Sequence, residues 1–478
     1  MAMGFNTTTE RNIQSMVLPK KFTSGIVFGR TGSGKTSCSV LPNIEERIKS
    51  DYGVLIYDFK GNLHLQAKYL ANKHDKLHEV IEIGKPWGKN INLCDYLSSS
   101  QIPLVVKSKG VGDYWENSAK SLMENVFTIH KNFNLLKEIV NKYHSGFNIP
   151  SIHKNISYAS LYSCVANVEA IKSFYENMVS SLEYVKKMPR PKDKFFRKRE
   201  HIFNDLLNNI GKTLATLKLY EKTKIEDDFG KNGIVNHLST ILNQIATKAY
   251  LNESDLDIIK ELRAGKIIII DVSNLSESVL NAINTAIYTR LQKASYFEMK
   301  PVCIVIDEAQ KVLNSEYLPQ VDVCRESNFE YLFATQDEIL LKNKLGENQY
   351  QELYTNIISR YSFNTNDNEQ LKEFEYINLA NNRSYFAKPI FIDKKELIKV
   401  EYKYLQINNL LRVADYESPQ AYMFVTDNKL LEEYKIVIET IDEQRIVVDY
   451  LSMPKEIPTR KSFIHNRRPN NNVFRNIS

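Results

Sequence analysis

The chain has 478 residues, 43% hydrophobic and 25% charged, with 63 Lys and Arg against 57 Asp and Glu and a net charge of +6. That composition excludes extended disorder, the length suggests two or three domains at roughly 150 residues each, and the weak positive balance does not by itself call for nucleic acid. No apolar run approaches the ~18 residues needed to cross a bilayer.

Met1–Ile13 carries no apolar signal core, so a soluble, intracellular protein is expected. Cys38, Cys94, Cys164, Cys303 and Cys324 form no Cys-x-x-Cys pair and no cluster with histidine. They are read as reduced packing residues rather than a disulfide framework or a zinc site.

In chain order, a short strand is predicted at Gly25–Phe28, then a glycine-rich loop and a helix, then a strand at Gly53–Tyr57 ending in Asp58. This is an α/β unit on a parallel sheet. From Leu122 to Asp255 strand-like runs become scarce. Leu206, Ile210, Leu214, Leu217 and Tyr220 follow helical spacing, which predicts an inserted all-α domain. After Leu262 the α/β pattern returns. A strand at Lys266–Val272 has the continuous apolar centre Ile267–Ile270, as expected in a sheet covered on both faces. A helix at Ser276–Ala294, a strand at Val302–Ile306, a helix at Glu316–Glu326 and a strand at Tyr331–Ala334 follow. Ile357–Phe363 and Ala421–Val425 are later strand candidates. The expected domains are therefore 1–121 and 256–450 for a split α/β domain, 122–255 for the helical insert, and 451–478 for a basic tail.

Gly29-Arg30-Thr31-Gly32-Ser33-Gly34-Lys35-Thr36 fits G-x-x-x-x-G-K-[ST]. Glycines let successive backbone N–H groups curl around phosphate oxygens, and the following helix points its positive end at the same anion. Lys35 would reach the β/γ-phosphates and Thr36 would ligate Mg²⁺. The complement is an apolar strand ending in carboxylates, Val302-Cys303-Ile304-Val305-Ile306-Asp307-Glu308. Asp307 would hold Mg²⁺ through water, and Glu308 would polarise the attacking water. Gln336, in Phe333-Ala334-Thr335-Gln336 on the next strand, is a candidate to sense the γ-phosphate or orient water; the alternative is a helix cap. Arg325 and Arg360 are candidates to stabilise developing charge, including from a neighbouring subunit; for each, a surface arginine or an ion pair is the alternative.

Two resemblances follow. The loop Thr31–Thr36 and the box Asp307-Glu308-Ala309-Gln310 are similar to those of DExD/H-box helicases, but the arginine-rich motif of a second RecA-like domain is absent. The fuller resemblance is to the coupling-protein ATPases of type IV secretion, the TraG/TraD type, relatives of the FtsK/HerA DNA pumps. It is carried by Val40-Leu41-Pro42-Asn43-Ile44 read as a helix end, Asp58-Phe59-Lys60-Gly61 (with Phe59 in place of the family's proline), Asn90-Ile91-Asn92-Leu93, Tyr114-Trp115 with Ser118, Ala119 and Leu122, and then Arg325, Gln336 and Asn364–Asn368.

That resemblance implies a RecA-like P-loop NTPase with an inserted all-α domain, using ATP and Mg²⁺ and assembling as a homo-hexamer. DNA or a relaxase–DNA complex and the secretion-channel components would be its partners. The family's N-terminal membrane anchor does not precede the phosphate loop here. A bacterial cytoplasmic location is therefore expected, peripheral to the inner membrane through partners. The alternative is a soluble substrate receptor in which nucleotide only sets conformation.

Charge distribution bears on the substrate. Lys186–Arg199 carries +7 and Lys455–Ser478 carries +5, leaving −6 on the remainder. Lys186, Lys187, Arg190, Lys192, Lys194, Arg197, Lys198 and Arg199 are candidate phosphate contacts, and Phe195 and Phe196 are candidates to stack bases. A solvated loop is the alternative for that stretch, and a disordered end for the tail.

Overall fold

The computed structural model describes residues 16–85, 87–106, 113–143, 152–153, 155–218, 228–293, 299–315, 317–363, 374–408, 411–414, 440–441 and 444–448. The Ala421–Val425 strand, the Asn364–Asn368 segment and the basic tail lie outside these residues.

The chain forms two compact units. The first comprises residues 1–89, 256–275 and 290–478, and is built on a nine-stranded sheet. Its strands are β1 (Gly25–Phe28), β2 (Gly53–Asp58), β3 (Val80–Ile83), β4 (Ile267–Asp271), β5 (Val302–Asp307), β6 (Phe329–Thr335), β7 (Ser359–Phe363), β8 (Phe374–Asn378) and β9 (Arg383–Ala387), in the order β3-β4-β2-β5-β6-β1-β7-β8-β9. All pairings from β3 to β7 are parallel, and β8 and β9 close the edge as an antiparallel hairpin. The apolar runs in β2, β4, β5 and β6 are buried almost throughout, the mark of a parallel sheet sealed on both faces.

Helix α1 (Leu41–Lys49) follows a π-helical turn over Thr36–Val40, and α2 (Leu63–Lys73) follows β2. The Val40–Ile44 motif therefore lies within a continuous helical run, Thr36 to Lys49, rather than at a helix end. Pro42 lies at the first positions of the α-helical part, directly after the π turn. Asn43 ties the incoming chain down: its amide donates to the Met16 and Ser39 carbonyls, both at 2.8 Å, and its carbonyl accepts from Leu18 N–H. Gly53 is required by packing, since a Cβ there would lie 1.9 Å from the Leu262 carbonyl oxygen.

The helix expected over Glu316–Glu326 is replaced by turns and an isolated Asn314–Tyr317 bridge. Pro319 would fall in the first turn of such a helix, where a missing N–H is tolerated, so proline alone does not explain the difference. Tyr317 and Tyr331 hydroxyls meet at 3.3 Å, and Val321 and Cys324 are buried, so the segment is packed without being helical.

The second unit comprises residues 90–255 and 276–289 and is helical. Its helices are α3 (Asp113–Asn141), α4 (Tyr158–Val165), α5 (Val168–Lys187), α6 (Lys194–Leu217) and α7 (Asp228–Ala246). Helix α8 (Ile258–Arg263) belongs to the sheet unit, and α9 (Glu277–Lys293) crosses the boundary. A division at 121/122 would cut through α3. In this unit Asn92 accepts from Cys94 N–H and donates to the Ile156 carbonyl at 2.7 Å, so the Asn90–Leu93 motif has a structural use. The fold is thus a RecA-like P-loop domain with a mostly parallel sheet and an inserted all-α domain.

Candidate nucleotide site

Strand register brings the phosphate-directed residues to one edge. Phe28 pairs with Thr335, Asp307 with Ala334, and Tyr57 with Ile306. Because these strands run parallel, the loops after β1, β2, β5 and β6 all leave the same, C-terminal edge, where ligands of open α/β sheets bind.

The loop after β1 has the conformation its glycines allow, with Gly32 at φ +81° and Gly34 at φ +89°. A side chain at Gly34 would also strike the Phe374 ring, its Cβ falling 2.7 Å from the nearest ring carbon. The loop closes through Ser33 N–H to the Arg30 carbonyl, and it is tied to β6 through Gly29 N–H to the Thr335 carbonyl at 3.1 Å. The Lys35 ammonium donates to the Gly29 and Arg30 carbonyls, which folds it back over the loop. Burial lowers its pKa, and Asp307 and Glu308 oppose that shift only in part.

Thr36 and Asp307 meet, the Thr36 hydroxyl donating to Asp307 Oδ2 at 3.3 Å. Asp307 Oδ1 is buried and has no hydrogen-bond partner. Burial raises the Asp307 pKa, with Lys60 the leading opposing influence. A buried carboxylate with a free oxygen, beside a hydroxyl and a phosphate-binding loop, fits Mg²⁺, which takes one or two protein oxygens and completes its shell with phosphate and water. Among the described residues no group of three or more His, Cys, Asp or Glu could hold a metal unaided, so the nucleotide would have to supply part of that shell.

Glu308 directly follows β5 in a left-handed conformation, φ +66°. Its carboxylate is buried and engaged on both oxygens. Lys60 pairs with Oε1, while the Gln310 and Gln336 amides donate to Oε2, the latter at 3.0 Å. Burial pushes its pKa up, but the Lys60 hydrogen bond and charge outweigh burial and hold it below the ordinary value. Gln336 is not a helix cap: Asp337 caps α10 (Glu338–Leu345) through Ile339 N–H at 2.7 Å.

Lys60 and Gln310 are members of the site that the sequence does not mark as such. For Lys60 the available signal is the similarity of Asp58–Gly61 to a D-P-K-G motif. Gln310 stands in the Asp307-Glu308-Ala309-Gln310 box.

The two arginines are placed elsewhere. Arg325 is exposed and precedes β6, at the opposite edge of the sheet, roughly 20 Å from the phosphate loop by strand length. Arg360 pairs in register with Ile26, stacks on the Tyr354 ring at 4.1 Å, and donates to the Ile357 and Thr355 carbonyls. The chain therefore brings Lys35, Thr36, Asp307, Glu308 and Gln336 together and does not bring Arg325 or Arg360 to them.

In the helical unit, Lys186, Lys187, Arg190, Lys192, Lys194, Arg197, Lys198 and Arg199 are all exposed. Lys186 pairs with Glu183 at 3.0 Å, and Arg190 lies over the Phe203 ring at 4.5 Å. Phe196 is not available to stack bases. It is buried, edge-on to Tyr143 and Phe203, because it begins the apolar face of α6 that continues through Phe203, Leu206, Leu207 and Ile210. The Phe195 and Trp115 side chains lie outside the described residues.

Fold and site together define the class by architecture: a RecA-like P-loop domain with a mostly parallel sheet. The resemblance to type IV coupling-protein ATPases is met over part of the chain by a family match: residues 301–375 match the family described as the TraM recognition site of TraD and TraG. No curated protein matches the sequence. Among solved structures, the plasmid coupling protein TrwB in complex with the ATP analogue ADPNP is 13% identical, with a TM-score of 0.45 over 79% of this chain and 82% of that one. TrwB in complex with ADP and Mg²⁺ is 12% identical, with a TM-score of 0.42 over 79% and 83%. VirB4 of Thermoanaerobacter pseudethanolicus is 13% identical, with a TM-score of 0.39 over 78% and 90%. Among the described residues, no helix is long and apolar enough to cross a membrane.

Proposed function

We propose that the chain is an ATP-hydrolysing motor of the coupling-protein kind, moving or recruiting DNA or nucleoprotein to a type IV secretion channel. The observation that carries this reading is the convergence of Lys35, Thr36, Asp307, Glu308 and Gln336 on one sheet edge. A pure nucleotide-binding module needs the first three; a carboxylate and an amide aimed at the same place suit hydrolysis.

In this reading the loop N–H groups and Lys35 grip the phosphates. Thr36 and Asp307 hold Mg²⁺, which when bound would neutralise charge developing on the transferred phosphoryl group. Gln336 positions the attacking water and Glu308 accepts its proton. Arg325 faces the opposite edge, so it could serve only a neighbouring subunit's nucleotide. That is the arrangement a homo-hexamer provides. Cytoplasmic placement, at the inner membrane through channel partners, belongs to the same proposal.

The DNA contact is assigned to Lys186–Arg199. Helix α6 begins with Lys194, Arg197, Lys198 and Arg199, and its N-terminus is capped by Asp193, whose carboxylate accepts from Phe196 N–H at 3.1 Å. A cluster of exposed cationic side chains supports phosphate contact. Replacing Lys192, Lys194, Arg197, Lys198 and Arg199 by serine should remove most of the stimulation of ATP turnover by single-stranded DNA. It should also weaken DNA binding by about tenfold or more at moderate salt, with a shallower dependence on log salt. Stimulation and salt slope equal to the parent's would assign the DNA contact to other residues.

A further inference from the structure

We propose that Lys60 is a second catalytic-centre cation, which passes between the Glu308 carboxylate and the γ-phosphate of a bound nucleoside triphosphate. The inference rests on the hydrolysis reading above and adds a residue and a γ-phosphate dependence to it.

Lys60 is delivered to the site by a rigid loop. Asp58 is buried at the end of β2, and its carboxylate gathers the chain that follows. Oδ1 accepts from Gly61 N–H at 2.8 Å, and Oδ2 accepts from His64 N–H at 3.1 Å and meets the His64 ring at 2.8 Å. Gly61, at φ +73°, lets the chain turn back on that carboxylate. On its other side β2 is held to β4, with Val272 N–H bonded to the Asp58 carbonyl. The Lys60 backbone is therefore fixed, while its side chain is 43% exposed on a four-carbon stem.

The contact it makes has a chemical consequence. With the Lys60 ammonium paired to Oε1 and two amides donating to Oε2, Glu308 is held by three donors, one of them a full positive charge. Such a carboxylate is a poor acceptor for a proton from water. Of its three donors, Gln310 is buried and Lys60 is the exposed one, on a long side chain with several rotatable bonds. The charges make the exchange favourable. Lys35 and Lys60 face Asp307 and Glu308, an even balance, and a triphosphate adds several negative charges to it. An ammonium within reach of both is drawn toward the γ-phosphate, and Oε1 of Glu308 is released as it leaves.

Lys60 forms no covalent bond in this scheme. The water oxygen bonds to the γ-phosphorus, the bond from γ-phosphorus to the bridging oxygen breaks with its electron pair remaining on ADP, and the water proton passes to Glu308. Lys60 contributes charge at the γ-phosphate and frees the base. A diphosphate offers no γ-oxygen, so ADP leaves Lys60 on Glu308.

The test measures binding of Mg²⁺-ADP and of the β,γ-imido analogue of Mg²⁺-ATP to the full chain, its Lys60→Met and Lys60→Arg variants, and Lys35→Ala. Lys60→Met should weaken the triphosphate analogue by about tenfold, leave ADP within about twofold, and lower kcat for ATP. Lys60→Arg should restore much of the preference for triphosphate. Equal weakening of ADP and the triphosphate analogue by Lys60→Met, or no change in either, would overturn the proposal. Its failure is separable from failure of the underlying reading. If the parent chain binds neither nucleotide, or binds them with no dependence on Lys35, the nucleotide site itself is misassigned. If binding depends on Lys35 and the Lys60 ratio does not move, only the role of Lys60 falls. Unchanged ADP binding by Lys60→Met also reports that the variant is folded.

Discussion

Glu308→Gln should leave Mg²⁺-ATP binding intact and lower turnover by about 10²–10⁴-fold, the usual contribution of a positioned general base. Lys35→Ala should act one step earlier, weakening Mg²⁺-ATP binding by about 3 kcal/mol, roughly a hundredfold, through loss of a charge-assisted phosphate contact. The two effects differ because the residues sit differently. Lys35 lies over the phosphate loop, against the Gly29 and Arg30 carbonyls. Glu308 directly follows Asp307 at the end of the strand, with the Gln336 amide hydrogen-bonded to its carboxylate at 3.0 Å. Glutamine preserves the size of Glu308 and can keep hydrogen bonds to its neighbours, so the fold is retained. Turnover in Glu308→Gln equal to the parent's would remove that residue from the chemistry. Equilibrium nucleotide binding and phosphate release, measured on both variants, separate the two roles.

Arg47→Met should destabilise the sheet unit by about 3–5 kcal/mol, the penalty for leaving a buried charge without its partner. Arg47 on α1 pairs through Nε with Glu330 Oε1 on β6, and both side chains are fully buried. Its Nη2 also donates to the Leu18 carbonyl at 2.9 Å, and the guanidinium lies 5.1 Å from the centre of the Tyr52 ring. The pair spans the layer between helix and sheet, at the end of β6 away from Gln336. Glu330 Oε2 and Arg47 Nη1 have no hydrogen-bond partner, so the pair is incompletely satisfied. For that reason the double variant Arg47→Met with Glu330→Leu should recover much of the loss, because two apolar side chains avoid the desolvation of both charges. Urea unfolding of the parent, both single variants and the double variant measures the coupling. A double variant no more stable than Arg47→Met would show that the pair contributes more than it loses by burial.

The nucleotide site is legible in the sequence wherever function and local pattern coincide. Gly29–Thr36 is a local code, and Asp307-Glu308 ends an apolar strand whose run of buried residues is visible in Val302–Ile306. Lys60 is harder to read. Its approach to Glu308 depends on β2 lying beside β5, a pairing of residues about 250 positions apart in the chain.

Local context also misleads. The cationic setting of Lys194–Arg199 suggests a base-stacking Phe196, whereas its spacing to Phe203 and Ile210 marks the buried face of α6. The leucine and valine positions of Glu316–Glu326 suggest a helix, whereas the segment packs as turns through Tyr317, Val321 and Cys324. The short strands β3, β8 and β9 have little periodicity to offer. β3 carries Glu82 into the core, where its carboxylate binds Lys68 at 2.9 Å and the Trp87 ring N–H at 2.7 Å. An apolar-pattern reading cannot anticipate such a buried pair. The β8–β9 hairpin turns through Asn381 and Asn382, the latter at φ +51°, a turn signal that is present in the sequence.

The central claim is that this site hydrolyses ATP as part of an assembling, DNA-responsive motor. It is tested most directly by phosphate release from Mg²⁺-ATP by the full chain, over a range of protein concentrations, with and without single-stranded DNA. The account predicts multiple turnovers, a specific activity that rises with protein concentration, and a further rise with DNA. Nucleotide binding without turnover at every concentration, with or without DNA, would contradict it and leave the chain a nucleotide-set receptor.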